Sequence, residues 1–354
     1  MRTMKRSTGL ALLMLLAGGC NARSAQQGGA DLTEDQLVRA ELAFGLRLLR
    51  QVHGLEEGGA NIFISPLSVA SALAMTYNGA AGTTEEAMRA TLGLGGSTAG
   101  QTSEAYKSLG DRLLKLDPAV EFLPANSMWY REGLDIEPDF LEVNRRYFDA
   151  EVAALDFDSP EAAPTINAWV EERTNGLIDQ IVEPPIDPFM MLFVINAIYF
   201  KGQWATPFQP ELTAPRPFTL ADGNEKLVAM MTYDSDEPVA HYQGGGVEAL
   251  ELLYGDSAFS MTIVMPEAAG SIGSLVDSLT PEKWGAILGG LRVGRFELYM
   301  PKFKLEYERT LNDVLAAMGL GVAFDPREAD FSRIRDGSPP LYISEVKHKT
   351  YVDV

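Results

Sequence analysis

The sequence is poor in the residues that build disulfides and metal centres. Among its 354 residues it has one cysteine, Cys20, and three histidines, His53, His241 and His348. A single cysteine excludes an intrachain disulfide, and so few nitrogen and sulfur ligands predict no metal centre and no cofactor. Positive charge is also scarce, since 29 Lys and Arg against 49 Asp and Glu leave a formal net charge of −20. This balance argues against nucleic acid as a partner and against adsorption to anionic membranes.

Motifs of common catalytic sites are missing as well. The sequence contains no Gly-rich phosphate loop ending in Lys-Ser/Thr, no His-Glu-x-x-His and no Gly-x-Ser-x-Gly nucleophile turn. The run Gly244-Gly245-Gly246 lacks the flanking pattern of a nucleotide site and is typical of a loop. These absences favour a protein that is not an enzyme.

The N-terminus, in contrast, has the pattern of a secretory leader. Positive charges at Arg2, Lys5 and Arg6 precede a short apolar run over residues 9–16. The run is too short to span a bilayer in the mature protein. We therefore predict a signal peptide over residues 1–19.

The end of this leader indicates lipidation. Ala17-Gly18-Gly19 directly precedes Cys20 and resembles the cleavage site of bacterial lipoproteins, where the cysteine becomes the lipidated N-terminus. The alternative is a plain signal peptide with an incidental cysteine. Residues 20–32 are polar and rich in Gly and Gln, as in a tether. We expect an exported bacterial lipoprotein, extracellular or anchored at the cell surface or outer membrane, that touches the membrane only through its lipid anchor.

Residues 33–354 are predicted to form a single α+β domain. Helical patterns come early, strand patterns come late, and no repeat or linker divides this part of the chain. Thr33 and Gln36 fit a capping box at the start of the first helix. Pro66 behind Ser65 indicates the start of a second helix, which is apolar nearly all round and should be buried on most sides.

Two later runs are predicted to be buried strands. Residues 191–200 form a continuous apolar run rich in β-branched and aromatic side chains, as in a strand covered on both faces. Residues 341–354 are rich in Val, Ile, Tyr and Thr, which predicts one long strand with His348 and Val352 on the same face. A helix over residues 311–318, ended by Gly319, is expected between them.

Polar residues interrupt these apolar segments. Asn196 lies within the run at 191–200, His348 within the last strand, and Ser65 and Ser68 at the start of the buried helix. An unpaired buried polar group costs about 1–3 kcal/mol, so each of these residues needs a hydrogen-bond partner. Local backbone can serve the serines. For Asn196 and His348 we predict that the two side chains pair with each other and hold neighbouring strands in register.

Taken together, these segments resemble the serpin family over residues 37–354. Small departures are Leu253, where Pro is usual, and Met300, where Leu is usual. The matching blocks follow one another in the family's order: residues 61–75, 78–84, the spaced set Asn167, Trp169, Val170, Thr174, Gly176 and Ile178, then residues 196–208, 300–304, 329–332 and 343–349.

The resemblance implies the serpin fold, with helices packed around a large central mixed β-sheet plus smaller sheets. It also implies a protease inhibitor that acts as a suicide substrate. A reactive loop baits a protease, is cleaved, and inserts as a new strand into the central sheet. The partner is then a target protease, serine-type or alternatively cysteine-type, and the inhibitor is a monomer. The alternative is a non-inhibitory serpin-like binding or structural protein at the cell surface.

The same resemblance assigns roles to individual residues. The strands that contain Asn196 and His348 flank the insertion slot, and the predicted pair becomes a latch across it, supported by Ser65 and Ser68 beneath. Trp204 matches the residue where insertion begins. The reactive loop and the closing strands of the family should follow Val354, so we expect the reactive site to lie beyond this residue and the chain to be truncated before it.

Overall fold

The computed structural model describes residues 11–13, 32–56, 60–220, 222–233, 238–267 and 272–354. The predicted signal peptide (apart from residues 11–13), Cys20 and nearly all of the tether lie outside this part of the chain. No helix within the described ranges is long and apolar enough to cross a membrane.

The helices lie mostly in the first half of the chain, as predicted. A short 3-10 turn covers Pro210–Leu212, and a π-helical turn over Ala316–Leu320 joins the last two helices. The α-helices are α1 (Glu34–Leu55), α2 (Pro66–Tyr77), α3 (Gly82–Leu92), α4 (Ala99–Leu113), α5 (Pro138–Phe148), α6 (Ala162–Arg173), α7 (Ile272–Ser278), α8 (Pro281–Gly290), α9 (Asn312–Leu315) and α10 (Gly321–Phe324).

Local sequence signals explain where these helices begin and end. The capping box of Thr33 and Gln36 is present at α1, and the Ser65 side chain accepts the Ser68 amide at the start of α2. The predicted helix over residues 311–318 is instead α9 followed by the π-helical turn. Gly319 has φ 111°, outside the helical range, and interrupts the helix there.

Most strands lie in the second half of the chain. They are β1 (Ala11–Leu13), β2 (Val120–Arg131), β3 (Glu151–Leu155), β4 (Leu192–Gly202), β5 (Ala214–Thr219), β6 (Glu225–Thr232), β7 (Pro238–Gly244), β8 (Val247–Tyr254), β9 (Phe259–Pro266), β10 (Arg292–Arg295), β11 (Tyr299–Pro301), β12 (Lys304–Thr310) and β13 (Lys347–Asp353).

These strands form four sheets. One sheet has the order β1-β9-β8-β7-β10 and another the order β11-β6-β5. The third has the order β3-β2-β4, in which β2 pairs parallel with β3 and antiparallel with β4, so it is mixed. The fourth consists of β12 and β13 in antiparallel register. The α+β class and the mixed sheets agree with the sequence-based expectation.

The large central sheet expected from the resemblance is divided in two. In the described structure β4 pairs with β2 and β13 pairs with β12, and no ladder joins β4 to β13. We call the gap between β4 and β13 the slot. Helix α2 lies beneath it and belongs to the main core with Val69, Leu73 and Met75, each at most 3% exposed.

The last strand is shorter than predicted. Residues 341–346 are not a strand, and β13 begins at Lys347. Backbone groups of residues 341–346 form hydrogen bonds outside the β12–β13 ladder. The Asn312 side chain accepts the Val346 amide and donates to the Ser344 carbonyl, both at 2.8 Å. The Ile343 amide donates to the carbonyl of Ala323. These bonds give partners to backbone groups of residues 341–346, which lie outside the β12–β13 ladder.

Candidate functional site

The slot contains a cavity of about 640 Å³. Its two walls are residues 190–196, leading into β4, and residues 341–348, leading into β13. Its floor is one face of α2 with the small side chains Ser68, Ala72 and Thr76. β4 has its ladder with β2 and β13 has its ladder with β12, and no ladder joins β4 to β13 across the slot.

His348 joins β13 to the floor. It is 5% exposed, and its Nε2 accepts the Ser65 backbone N–H at 3.0 Å. The neutral ring therefore carries its proton on Nδ1. Burial lowers the pKa of His348 to about 4, since a charged imidazolium would lose its hydration there. Two residues further on, the Thr350 hydroxyl donates to the Phe63 carbonyl at 2.6 Å.

Ser65 and Ser68 lie together at the start of α2. Their hydroxyl oxygens are 2.9 Å apart, and the Ser65 oxygen also accepts the Ser68 amide at 3.4 Å. The local-backbone interpretation therefore describes Ser65, whereas the Ser68 hydroxyl bonds to the Ser65 hydroxyl. The link between α2 and His348 uses the Ser65 backbone N–H and neither serine hydroxyl.

The predicted hydrogen bond between Asn196 and His348 is wrong for this structure. The Asn196 side-chain amide donates to Asn126 Oδ1 at 2.7 Å, and Asn126 in turn donates to the Phe148 carbonyl at 2.7 Å. Asn196 Oδ1 is buried and has no partner among the described residues. Both Asn196 and His348 line the cavity, but each is bonded to its own wall or floor because no ladder brings β4 and β13 together.

Trp204 lies just beyond the other end of β4, among aromatic rings. It stacks on Tyr254 with centroids 4.3 Å apart and meets Phe208 edge-on at 6.0 Å. Phe200 contacts Tyr254 edge-on at 5.2 Å. A Cβ on Gly202 would lie 2.8 Å from the Tyr254 ring, so this position has no room for a side chain. The end of β4 near Trp204 is tightly packed, unlike the end that borders the cavity.

Sequence reasoning missed Asn126, which holds Asn196 in place. Asn126 fits the criterion that identified Asn196, a polar residue within an apolar segment. It lies between Ala125 and buried side chains in β2. It also missed the two lysines on the outer face of β13, Lys347 and Lys349, which contact the loop after α6. No group of three His, Cys, Asp or Glu residues suited to a metal occurs within the described ranges.

The fold and the slot together define an α+β protein in which no ladder joins β4 to β13. A family model described as Serpin (serine protease inhibitor) matches residues 39–354. Human Serpin B8 is 31% identical over 326 residues, which cover 90% of this chain and 86% of that protein.

Solved structures agree in fold. The native state of the thermophilic serpin tengpin has a TM-score of 0.81 at 28% identity, covering 98% of this chain and 86% of that one. Reaction-loop-cleaved lamprey angiotensinogen has a TM-score of 0.82 at 28% identity, covering 91% of this chain and 94% of that one. The chain belongs to the serpin family, a family of protease inhibitors that also has some non-inhibitory members.

Proposed function

We propose that this serpin inhibits a protease as a suicide substrate and that the slot between β4 and β13 receives the cleaved loop. The observation that carries the proposal is the cavity of about 640 Å³ between β4, which pairs with β2, and β13, which pairs with β12. A strand added there would pair with β4 and β13 and gain backbone hydrogen bonds where these two strands border the slot.

The chemistry in this proposal comes from the protease. Its nucleophilic hydroxyl, or thiol in a cysteine-type enzyme, attacks a carbonyl of the exposed reactive loop. The scissile C–N bond breaks, the amine takes a proton and leaves, and the protease remains attached as an ester or thioester. Insertion of the loop then carries the protease away and distorts its active site before water can hydrolyse the acyl bond.

Ser65, Ser68, Asn196 and His348 control the sheet in this proposal. His348 and Ser65 tie β13 to α2, while Asn196 is held on the opposite wall by Asn126. The proton on His348 Nδ1 and the unpartnered Asn196 Oδ1 are a complementary donor and acceptor. From the resemblance we propose that loop insertion begins near Trp204, at the end of β4 away from the cavity.

Protease panels test the proposal directly. The protein is expressed from its whole reading frame and incubated with serine and cysteine proteases. A complex that survives denaturing gels is expected with a serine-type target. Substrate-like cleavage without such a complex would overturn the inhibitory mechanism and favour the non-inhibitory alternative.

We further propose that Cys20 carries a lipid and anchors the inhibitor at the surface of a bacterial cell. The support is the leader pattern that ends in Ala17-Gly18-Gly19 before Cys20. Labelled palmitate should enter the wild-type protein and be absent from a Cys20→Ala variant. Equal labelling of the two proteins, or none in either, would contradict the anchor and leave the inhibitory proposal unaffected.

A further inference from the structure

Helix α1 presents two carboxyl groups to α4. Glu34 lies in the first turn of α1, and Glu41 follows about two turns later on the same side of the helix. Glu34 Oε1 lies 2.6 Å from Arg112 Nε of α4. Glu41 Oε1 accepts a hydrogen bond from the hydroxyl of Tyr106, also on α4. The two carboxyls therefore belong to one interface, and their surroundings can be compared directly.

The charge of Glu34 is balanced within this interface. Besides its ion pair with Arg112, Glu34 accepts the Ser108 hydroxyl at 3.1 Å. Its side chain is 24% exposed, so water also reaches it. The guanidinium and the solvent together compensate a negative charge at this position.

Glu41 lies in a different environment. Its Oε2 is buried and has no hydrogen-bond partner among the described residues. Residues one turn away on the two helices are apolar, and Leu37, Phe44 and Leu109 are each at most 6% exposed. Burial raises the pKa of Glu41 to about 8, and the hydrogen bond from Tyr106 acts in the opposite direction. A negative charge on Glu41 would therefore be poorly compensated while α4 is in place.

Ionisable groups on the other helices packed against α1, and the rest of those on α4, have other partners or are exposed. On α4, Lys107 pairs with Asp111 and Asp149. Those engaged elsewhere on α3, α8 and α9 are Glu85 and Arg89 beside Tyr77 of α2, Lys283 with Ser278 at 2.7 Å, and Asp313 with Arg309 at 3.0 Å. The exposed ones are Glu86, Glu104, Asp277 and Glu282.

We propose that the packing of α4 on α1 is pH-sensitive, because the Glu41 carboxyl must be protonated while the two helices are in contact. When α4 moves away, the carboxyl reaches water and regains its ordinary pKa of about 4.5. Between about pH 4.5 and pH 8 each opening therefore releases a proton, and opening becomes easier as the pH rises. Acid holds α4 in place, and a rise in pH loosens it.

Hydrogen exchange of the α4 amides measures this effect. After correction for the intrinsic pH dependence of exchange, the opening constant of wild-type residues 102–113 should rise about tenfold per pH unit, or on the order of 50-fold between pH 5.5 and pH 7.5. Above pH 8 the rise should level off. Glu41→Gln keeps an acceptor for Tyr106 but does not titrate, so its opening constant should stay flat over the same range.

Two further variants separate titration from loss of packing. Glu34→Gln is the matched control, since it makes the same substitution on the same helix and facing the same partner helix. It weakens the attachment of α4 at every pH but should keep the wild-type pH dependence. Tyr106→Phe keeps the ring that contacts Phe148 at 5.8 Å and removes the hydroxyl that lowers the pKa of Glu41. Its opening constant should therefore continue to rise above pH 8.

Three results would overturn the proposal: a flat profile in the wild type, a pH dependence that persists in Glu41→Gln, or one that is lost in Glu34→Gln. No protease is involved, and the described lining of the slot contains no residue of α1 or α4. A protein that traps no protease but shows the expected profiles keeps the pH-sensitive interface and loses the proposed function. The two proposals therefore fail separately.

Discussion

The two ends of β4 are packed in different ways. Near Gly202 the strand meets a stack of aromatic rings, with Trp204 and Tyr254 4.3 Å apart and Tyr254 5% exposed. Near Leu192 it borders a cavity of about 640 Å³, and Asn196 has a buried oxygen without a partner among the described residues. The end near Trp204 is filled by side chains that contact one another. The end near Leu192 has unfilled volume and the unpaired oxygen of Asn196.

This difference indicates which parts of the sheet hold the fold and which can rearrange. Aromatic packing contributes to stability through buried area and close contact. A cavity bordered by polar groups contributes less, and it leaves the walls free to accept new partners. Substitutions of the same kind at the two ends should therefore have different effects.

The largest difference is expected for removing a tyrosine ring at each end. Tyr254→Ala should lower the free energy of unfolding by about 3–5 kcal/mol, because the ring is buried against Trp204 and Phe200. Tyr342→Ala at the cavity should cost about 1 kcal/mol or less, since Tyr342 is 38% exposed. Denaturant melts of both variants measure the two values. Equal losses would contradict the comparison.

Acid should act on the cavity end through His348. Its pKa is about 4 in the folded protein and about 6.5 when unfolded, so the unfolded state binds more protons between these values. The free energy of unfolding therefore falls as the pH is lowered from about 6.5 to about 4, by about 3 kcal/mol in total. Above pH 6.5 the imidazole is neutral in both states and contributes no slope.

A His348→Gln variant isolates this contribution. The Gln side-chain oxygen can still accept the Ser65 amide, but it does not titrate. Glu41 gives a slope of the opposite sign between about pH 4.5 and about pH 8, because burial raises the pKa of its carboxyl to about 8. Denaturant melts give the free energy of unfolding of both proteins at several pH values. The Glu41 contribution is the same in both and cancels in the difference. Identical pH profiles for the two proteins would refute the role of His348.

Adding carbon should also have opposite effects at the two ends. Gly202→Ala places a Cβ 2.8 Å from the Tyr254 ring and should destabilise the protein by about 1–3 kcal/mol. Ala72→Leu on α2 points into the cavity and should stabilise the protein by about 1 kcal/mol while obstructing an incoming strand. Gly110→Ala, with no atom within 4 Å of the new carbon, is the control for the chemical change itself. Stabilisation by Gly202→Ala would contradict the tight packing near Trp204.

Local patterns in the sequence predicted the elements around the slot well. Thr33 and Ser65 mark the starts of α1 and α2, and the alternation that placed His348 and Val352 on a buried face is confirmed, at 5% and 7% exposure. The wall strand over residues 191–200 is confirmed as β4 with its bounds shifted by one or two residues. Each of these predictions depends on neighbours within a few positions along the chain.

Predictions about which strands and side chains lie next to each other were less accurate. Whether Asn196 meets His348 depends on the distance between two strands, and no periodicity encodes that distance. The start of β13 at Lys347 depends on Asn312, whose side chain bonds to the segment before Lys347 although it is 34 residues away in sequence. Glu183 likewise meets Lys347 across a separation of 164 residues. Sequence patterns identified polar residues inside apolar runs, and tertiary packing selected their partners.

The smallest effect is expected for Asn196 itself. Asn196→Ala removes one hydrogen bond to Asn126 but also removes a buried acceptor that lacks a partner, so the loss should be below about 1 kcal/mol. Asn126→Ala should cost about 1–3 kcal/mol, because it deprives both Asn196 and the Phe148 carbonyl of their bonds. Melts of the two single variants and the double variant measure both costs and their coupling. If Asn196→Ala were the more damaging change, Asn196 would have to be bonded across the slot in solution, with the walls closed.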